Sequence, residues 1–283
     1  MSHLSKWLTN LSMVFVAGCV SPNLPLNPSP TGPPPANHGG KIPLNAIDAE
    51  AIGKKIWRNE CAGTIEGLTT WNKGEDFPSM GIGHFIWYVE GRSGPFDESF
   101  PKLIGYLETK QVRVPQWVIN ATGSPWQSRT EFDHAKNSPQ MRELRQFLAN
   151  TVIDQTNFIV LRLEEALPKM KAATKDASDR ERLEENFYKV ASSRTGIYAL
   201  IDYVNFKGEG IKAKEKYNGV GWGLRDVILE MNRTSDGQAA AEEFSEAAKR
   251  TLKRRIINSP PSRGESRWEA GWMNRCESYK HGF

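Results

Sequence analysis

Apolar residues recur every three or four positions near residue 50, which is the spacing of one face of a helix. Asn45 stands just before them and is a favourable N-cap residue. The pattern predicts an amphipathic helix from about Ala46 to Glu60. The positions that form the apolar face are Ile47, Ala51, Ile52, Ile56 and Trp57.

Glu60 closes this predicted helix on the same stripe as Ile52 and Ile56. A negative charge at a helix C-terminus opposes the macrodipole, and partial burial disfavours the charged form of a carboxyl group. Both effects favour a protonated side chain. We therefore interpret Glu60 as a candidate general acid, with a solvated glutamate at a helix end as the alternative.

The pattern after Glu60 changes to β-branched and aromatic residues between turn signals. Residues 67–88 predict a short hairpin or a three-stranded sheet, with a turn at Asn72-Lys73-Gly74. Gly81 and Gly83 alternate with Ile82, which we interpret as a strand whose backbone another group approaches closely. A sugar is one candidate for that group.

The second half of the chain is predicted to be helical. One long helix is expected from Gln140 to Met170, and another begins within residues 182–188. Between sheet and helices, the segment from Glu90 to Pro139 mixes Pro, Gly and aromatic residues, which favours an ordered insertion.

The N-terminus has the features of a bacterial secretion signal. Lys6 precedes an apolar stretch that is too short to span a bilayer comfortably, so residues 1–18 are predicted to be a signal peptide. Val16-Ala17-Gly18-Cys19 resembles a lipobox, in which the cysteine is lipidated. The alternative is an ordinary signal peptide or short anchor with an incidental cysteine.

Residues 19–44 are rich in Pro, Asn, Ser and Gly and show no periodicity, which predicts an extended tether between the anchor and the folded region. Val20 follows the candidate lipidated cysteine and is compatible with sorting to the outer membrane. The expected location is therefore the periplasm, with a lipid anchor.

Composition excludes few classes of function. The chain has 283 residues, with 37 Lys and Arg against 33 Asp and Glu, which falls short of a nucleic-acid-binding signature. No Cys/His cluster, phosphate-binding glycine loop or Ser/His/Asp constellation has usable spacing. We expect neither a metal nor a cofactor.

Three motifs, in order, are similar to those of the phage-type lysozymes. Ser79-Met80-Gly81-Ile82-Gly83-His84 follows the helix that ends in Glu60, as Thr-x-Gly-x-Gly-His does in that family. Residues 199–210, Ala-Leu-Ile-Asp-Tyr-Val-Asn-Phe-Lys-Gly-Glu-Gly, resemble its buried central helix and the turn that ends it. Residues 271–277, Gly-Trp-Met-Asn-Arg-Cys-Glu, resemble its late arginine-containing helix. The matches cover about a quarter of the chain.

The resemblance implies an α+β, mostly α domain over residues 45–283, with a small β-sheet lobe and a helical lobe enclosing a glycan cleft. Glu60 would be the catalytic acid and Arg275 would orient it through an ion pair. Ser79 would take the place of the family's threonine near the attacking water, and His84 would be structural rather than catalytic. Residues 90–139 have no counterpart in the family pattern and would form the insertion over the cleft.

The second carboxylate is the main departure from the family, because Lys73 occupies the position expected for an aspartate. Glu75 is our preferred substitute, Asp76 is the alternative, and Glu66 is a weaker third. A solvated turn tip is the other interpretation of Glu75 and Asp76.

Substrate contacts and a disulfide are further expectations. Gly81 and Gly83 would let a sugar approach the sheet, and most tryptophans would be core, with Trp71 and Trp126 the candidates for stacking on sugar. Cys61 and Cys276 are either buried free thiols or a disulfide. An ion pair between their neighbours Glu60 and Arg275 would favour the disulfide.

The predicted reaction is cleavage of the β-1,4 bond between N-acetylmuramic acid and N-acetylglucosamine in peptidoglycan, as in a muramidase. A lytic transglycosylase is the alternative, since that reaction needs only the glutamate. A non-catalytic wall-binding lipoprotein is a rival of another class, and a chitin-like substrate also fits the resemblance.

Overall fold

A computed structural model describes residues 41–282, which are mostly helical with a small antiparallel sheet. The expected α+β, mostly α class is thus confirmed at this level. The candidate lipidation site Cys19, the signal peptide and nearly all of the tether lie outside the described residues. The helices are α1 Ala46–Cys61, α2 Phe100–Thr109, α3 Gln116–Ile119, α4 Arg129–Ala135, α5 Pro139–Asn150, α6 Val152–Ala172, α7 Ala177–Ala191, α8 Arg194–Lys207, α9 Leu224–Glu230, α10 Gln238–Asn258 and α11 Glu269–Glu277.

Helix α1 confirms the first prediction and ends one residue beyond its predicted end. The Asn45 side-chain oxygen accepts a hydrogen bond from the Asp48 backbone N–H at 2.9 Å, which satisfies a donor that the first turn leaves open. Ile52 and Ile56 are buried, as the apolar stripe requires, whereas Ile47, which was predicted on the same face, is 75% exposed.

The sequence allowed either a short hairpin or a three-stranded sheet, and the structure has the three-stranded sheet. Its strands are β1 Thr69–Thr70, β2 Ser79–Met80 and β3 Phe85–Ile86, antiparallel in the order β1-β2-β3. Thr70 pairs with Ser79, and Met80 pairs with Phe85.

The strand interpretation of residues 81–83 was wrong, because residues 81–84 form the turn between β2 and β3. Gly81 has φ +69° and His84 has φ +46°, both in the left-handed region, which strand residues do not adopt. The glycine therefore serves the backbone conformation of the turn.

The chain divides into two compact units. The first is Ile56–Val152 and contains the sheet and helices α2 to α5. Its core includes Trp87, whose ring centroid lies 4.7 Å from that of Phe100 and 6.2 Å from that of Trp126. The segment between Glu90 and Pro139 is ordered and contributes α2, α3 and α4 to this unit.

The single helix predicted from Gln140 to Met170 is two helices, α5 and α6, separated at Thr151. Thr151 has φ −114° and ψ +21°, outside the helical region, and its hydroxyl bonds back to the Phe147 carbonyl oxygen at 3.0 Å. Apolar residues keep their helical spacing across the break, so the hydrophobic pattern does not reveal it.

The second unit comprises residues 41–55 and 153–282 of the described chain. Most residues of helix α8 are buried, and the helix ends at Gly208 with φ +85°. Strands β4 Lys216–Tyr217 and β5 Val220–Gly221 follow as a hairpin closed by Asn218-Gly219, both in the left-handed region that this turn requires.

No helix within residues 41–282 is long and apolar enough to cross a membrane.

Candidate active site

Glu60 lies in the last turn of α1, where its side chain is half-buried. Its charge acts on two neighbours: it adds to the effect of burial in raising the pKa of the Cys61 thiol, and it opposes the effect of burial, which lowers the pKa of the His84 imidazole. His84 belongs to the turn between β2 and β3, so the glutamate lies within electrostatic range of the sheet. The first unit thus brings the end of α1 and the sheet turn together.

Burial is the largest influence on His84 and lowers its pKa, while Glu60 opposes that shift. The His84 Nε2 lies 3.7 Å from the Cys61 sulfur, and the His84 backbone N–H donates to the Gly81 carbonyl oxygen at 3.2 Å. The Cys61 thiol donates to the same carbonyl at 3.6 Å. The contacts fix the turn against the end of α1.

Gly67 marks a second close approach in the same region. A Cβ atom at this position would lie 2.2 Å from the Cys61 carbonyl oxygen, so the chain can turn from α1 toward β1 only with glycine here. Beyond it, the Gly81 backbone N–H donates to the Leu68 carbonyl oxygen at 2.8 Å. The close approach at Gly67 and this hydrogen bond hold the segment just before β1 against the end of α1 and the sheet turn.

Ser79, expected near the attacking water, lies in the central strand β2 and is buried. Gly81 is buried and Gly83 is half-buried in the turn that follows. The contacts of these residues with a sugar stay predictions.

Glu75 and Asp76, the candidates for the second carboxylate, lie in the loop between β1 and β2. The Glu75 carboxylate accepts a hydrogen bond from the Asn72 side-chain amide at 3.1 Å, whereas Asp76 is exposed. Burial raises the pKa of Tyr88, and the charges of Glu98, Asp76 and Glu75 raise it further. The charges of the two loop carboxylates therefore affect the pKa of Tyr88, whereas the charge of Glu60 affects the pKa of His84.

Trp71 and Trp126, the candidate stacking residues, are both buried. Trp71 packs edge-on against Phe132 with centroids 5.9 Å apart, and its indole N–H donates to the Glu75 carbonyl oxygen at 2.7 Å. Trp126 packs against Trp87 and Phe132 in the core. Trp126 is thus a core residue, while Trp71 lines a cavity.

Arg275, on α11, binds Asp202 of α8 through two hydrogen bonds, from Nε at 2.7 Å and from Nη2 at 2.9 Å. Tyr279 also donates to this buried carboxylate, at 2.6 Å. Asp202 stands within one of the three motifs that resemble the lysozymes, and its sequence context alone indicates no role for it. The ion pair expected between Arg275 and Glu60 stays a prediction.

The disulfide prediction was wrong, because Cys61 and Cys276 are both free, buried thiols. Burial raises the pKa of each thiol to about 12; Glu60 adds to this at Cys61, and Asp202 adds to it at Cys276. Each sulfur is thus a neutral, small apolar group within its own unit.

A thiol titration checks this correction. Mature protein that is denatured without reducing agent is expected to react at two thiols, from Cys61 and Cys276, when Cys19 is acylated. Reaction after prior reduction is the control and is expected to give the same number. A gain of two thiols on reduction would restore the disulfide.

Arg145, which was not predicted as a site residue, is a buried arginine of α5 that lines the same cavity as Trp71 and Glu66. An arginine within an amphipathic helix is normally solvated, so no local signal distinguishes it. Glu66, the third candidate for the second carboxylate, lies in a short 3₁₀ turn before β1.

No group of three or more His, Cys, Asp or Glu side chains within residues 41–282 is arranged to hold a metal ion. Comparison with family models, with curated proteins and with solved structures found no match to the chain.

Proposed function

We propose that this protein cleaves the glycan strand of peptidoglycan as a muramidase, with Glu60 as the general acid. The observation that carries the proposal is the position of Glu60, half-buried at the C-terminus of α1 and within electrostatic range of His84 in the sheet turn. The motif that contains this turn is one of the three that resemble the phage-type lysozymes. A lysozyme-like arrangement of the site is part of the same proposal.

In this reaction the Glu60 carboxyl group donates its proton to the glycosidic oxygen as the bond to the muramic acid carbon breaks. A water molecule, deprotonated by a second carboxylate, then adds to that carbon. Ser79 and the glycines of the turn would position the sugar and the water. The products are a reducing muramic acid end and a free hydroxyl on N-acetylglucosamine.

Glu75 is the better candidate for the base, because the Asn72 amide holds its carboxylate while Asp76 is exposed. We expect Glu75→Gln to lower kcat by about 10²–10⁴-fold, the usual contribution of a positioned general base. Asp76→Asn is the control and should stay within about twofold of the parent. Rates are measured as reducing ends released from purified peptidoglycan, and an unchanged kcat for Glu75→Gln would exclude it as the base.

A lytic transglycosylase is the second candidate, and Lys73 at the expected aspartate position favours it. In that reaction a hydroxyl of the muramic acid itself attacks, so one carboxylate suffices and the product is an anhydro end. Loss of activity in Glu60→Gln with full activity in both loop variants would support this version.

Zymography separates both enzymes from a protein that only binds the wall. A gel containing peptidoglycan should show a clearing zone at the position of this chain, because cut strands diffuse out. No clearing zone from refolded protein that still sediments with peptidoglycan would support the binding protein. A chitin-containing gel run in parallel tests the other glycan.

The proposed location is the periplasmic side of the outer membrane, through acylation of Cys19, with the Pro-rich residues 19–44 as the tether to the wall.

A further inference from the structure

A cavity of about 490 Å³ lies in the first unit, lined by residues of β1, α4 and α5. This volume falls in the range of sites that hold small ligands. Helix α4 belongs to the segment from Glu90 to Pro139, which has no counterpart in the family that the chain resembles. The cavity is therefore built partly from the feature that distinguishes this chain.

Arg145 is the buried charged group of the cavity, with 7% of its surface exposed. Its Nε donates to the Thr69 hydroxyl at 2.8 Å, and its Nη1 donates to the Lys136 carbonyl oxygen at 2.8 Å. Both acceptors are neutral, and no carboxylate within residues 41–282 forms an ion pair with it. Burial lowers the pKa of Arg145, and the charge of Glu66 opposes that shift without forming an ion pair. A buried guanidinium that no carboxylate binds directly is costly, which points to an anion that the side chain can receive.

Thr70 supplies a second, independent sign of a ligand. Its hydroxyl oxygen is buried, lacks a hydrogen-bond partner among the described residues, and belongs to a residue that lines the cavity. Buried hydroxyl groups are usually paired in folded proteins. A ligand oxygen or N–H group in the cavity would provide the missing partner.

The remaining lining combines charge with an apolar wall. Arg129 and Lys136 both face Asp133, at 3.9 Å and 2.7 Å, so that one carboxylate is shared by two cations. With Arg145 counted, the basic side chains outnumber the acidic ones by one, since Glu66 is the other acid. Trp71 and Phe132 provide the aromatic surface, which suits a sugar ring or a methyl group.

We propose that this cavity binds the carboxylate of a muramyl group, held by the guanidinium of Arg145. Arginine binds carboxylates through directional, charge-assisted hydrogen bonds, and the aromatic wall would contact the sugar or its lactyl methyl group. The proposal rests on the proposed peptidoglycan substrate and assigns it a specificity site besides Glu60. Two sources of the carboxylate are possible, the lactyl group itself and the peptide attached to it.

Isothermal titration calorimetry with the full chain carrying Glu60→Gln measures binding without turnover. The probes are N-acetylmuramic acid, its lactyl amide, muramyl dipeptide and the amidated dipeptide. We expect at least one free acid to bind about tenfold or more tightly than its amide. The acid that does so identifies the source of the carboxylate.

Two further variants, made in the same Glu60→Gln protein, test whether Arg145 and Thr70 bind the ligand. Arg145→Lys keeps the charge but not the planar fork, so the preference for acid over amide should disappear. Thr70→Val removes a hydroxyl that makes no hydrogen bond in the described chain, so the fold should tolerate it while affinity falls severalfold. Arg113→Lys, an exposed arginine of the same unit, is the matched control and should change nothing.

Equal binding of acid and amide by the parent would overturn the proposal, as would an acid preference that survives in folded Arg145→Lys. If Arg145→Lys does not fold, unchanged affinity of Thr70→Val overturns it instead. Because binding is measured without cleavage, a failure here is distinct from a failure of the proposed activity, which would show as absent products.

Discussion

Replacing Glu60 by glutamine is expected to slow glycan cleavage by about 10²–10⁴-fold, since a positioned general acid contributes that much and an amide cannot donate the proton. The substitution keeps the shape of the side chain, so binding of the glycan should change little. The loss should therefore appear in kcat rather than in KM. Release of reducing or anhydro ends from purified peptidoglycan measures it.

Glu50→Gln is the matched control on the same helix. Glu50 is exposed and pairs with Lys54 at 2.6 Å, an interaction worth about 0.3–0.5 kcal/mol in such surface pairs. Its replacement should leave kcat within about twofold of the parent. Equal losses in the two variants would mean that α1 is disturbed generally and that Glu60 has no special role.

The His84 imidazole gives a second readout of Glu60→Gln. The charge of Glu60 raises the pKa of His84 against the larger lowering effect of burial, so removal of that charge should lower the pKa further. A histidine titration followed by NMR measures the shift. An unchanged pKa would place Glu60 away from the sheet turn and remove the observation on which the proposed function rests.

Replacing Glu265 by glutamine is expected to give a large loss of stability, about 3–5 kcal/mol, because it leaves the largely buried guanidinium of Arg255 without its counter-charge. Glu265 is buried and accepts two hydrogen bonds from Arg255, both at 2.8 Å, one from Arg263 at 2.9 Å and one from Tyr217 at 2.8 Å. We expect Tm to fall by roughly 10 °C. Thermal unfolding followed by circular dichroism measures it.

Glu181→Gln is the control for this substitution, since Glu181 is an exposed glutamate of α7. Its stability should stay within about 0.5 kcal/mol of the parent. A similar small change in Glu265→Gln would show that the buried ion pairs contribute little beyond what a neutral amide provides.

The same carboxylate makes stability depend on pH. Burial alone would raise the pKa of Glu265, but Arg255, with Tyr217 and Arg263, outweighs burial and lowers it to about 2. A carboxyl group whose pKa is lower in the folded than in the unfolded protein stabilises the fold. This contribution is complete above the unfolded pKa, near 4.5, and is lost as the pH falls toward the folded pKa of about 2. The difference in stability between parent and Glu265→Gln should therefore shrink from pH 6 to pH 2. A difference that does not vary with pH would contradict this assignment.

Helix α1 was predictable because two local signals agree on it. The apolar stripe sets its face, Asn45 caps its start, and both are properties of neighbouring residues. The sheet was predictable in outline for a similar reason, since turn residues separate its strands. The break at Thr151 was not, because apolar residues keep helical spacing through it.

The partners of charged and sulfur-containing residues depend on contacts distant in sequence. Cys61 and Cys276 suggested a disulfide only through the expected pairing of their neighbours, and both are buried thiols instead. The partnership of Arg275 with Asp202 joins α11 to α8, and neither motif alone specifies it. The hairpin at Asn218-Gly219, by contrast, could have been predicted from the sequence, because that dipeptide is a strong local turn signal.

The cavity beside β1 shows the same limit for the candidate site. Trp71 was singled out as a stacking residue because of its type and its place in the sheet segment, and it does line the cavity. Arg145 reaches that cavity from α5, many residues away, and only the packing of α5 reveals that it is buried. The type and local context of a residue can therefore suggest that it belongs to a site, but they do not show which distant residues line the same cavity.

Mass spectrometry of the products from purified peptidoglycan tests the central claim most directly, with the parent and the Glu60→Gln variant side by side. Our account predicts new reducing muramic acid ends with the parent and none with the variant. Anhydro ends that depend on Glu60 would keep the residue and change the reaction to that of a lytic transglycosylase. Equal amounts of product from the two proteins, or none from a folded parent that binds the glycan, would contradict the account.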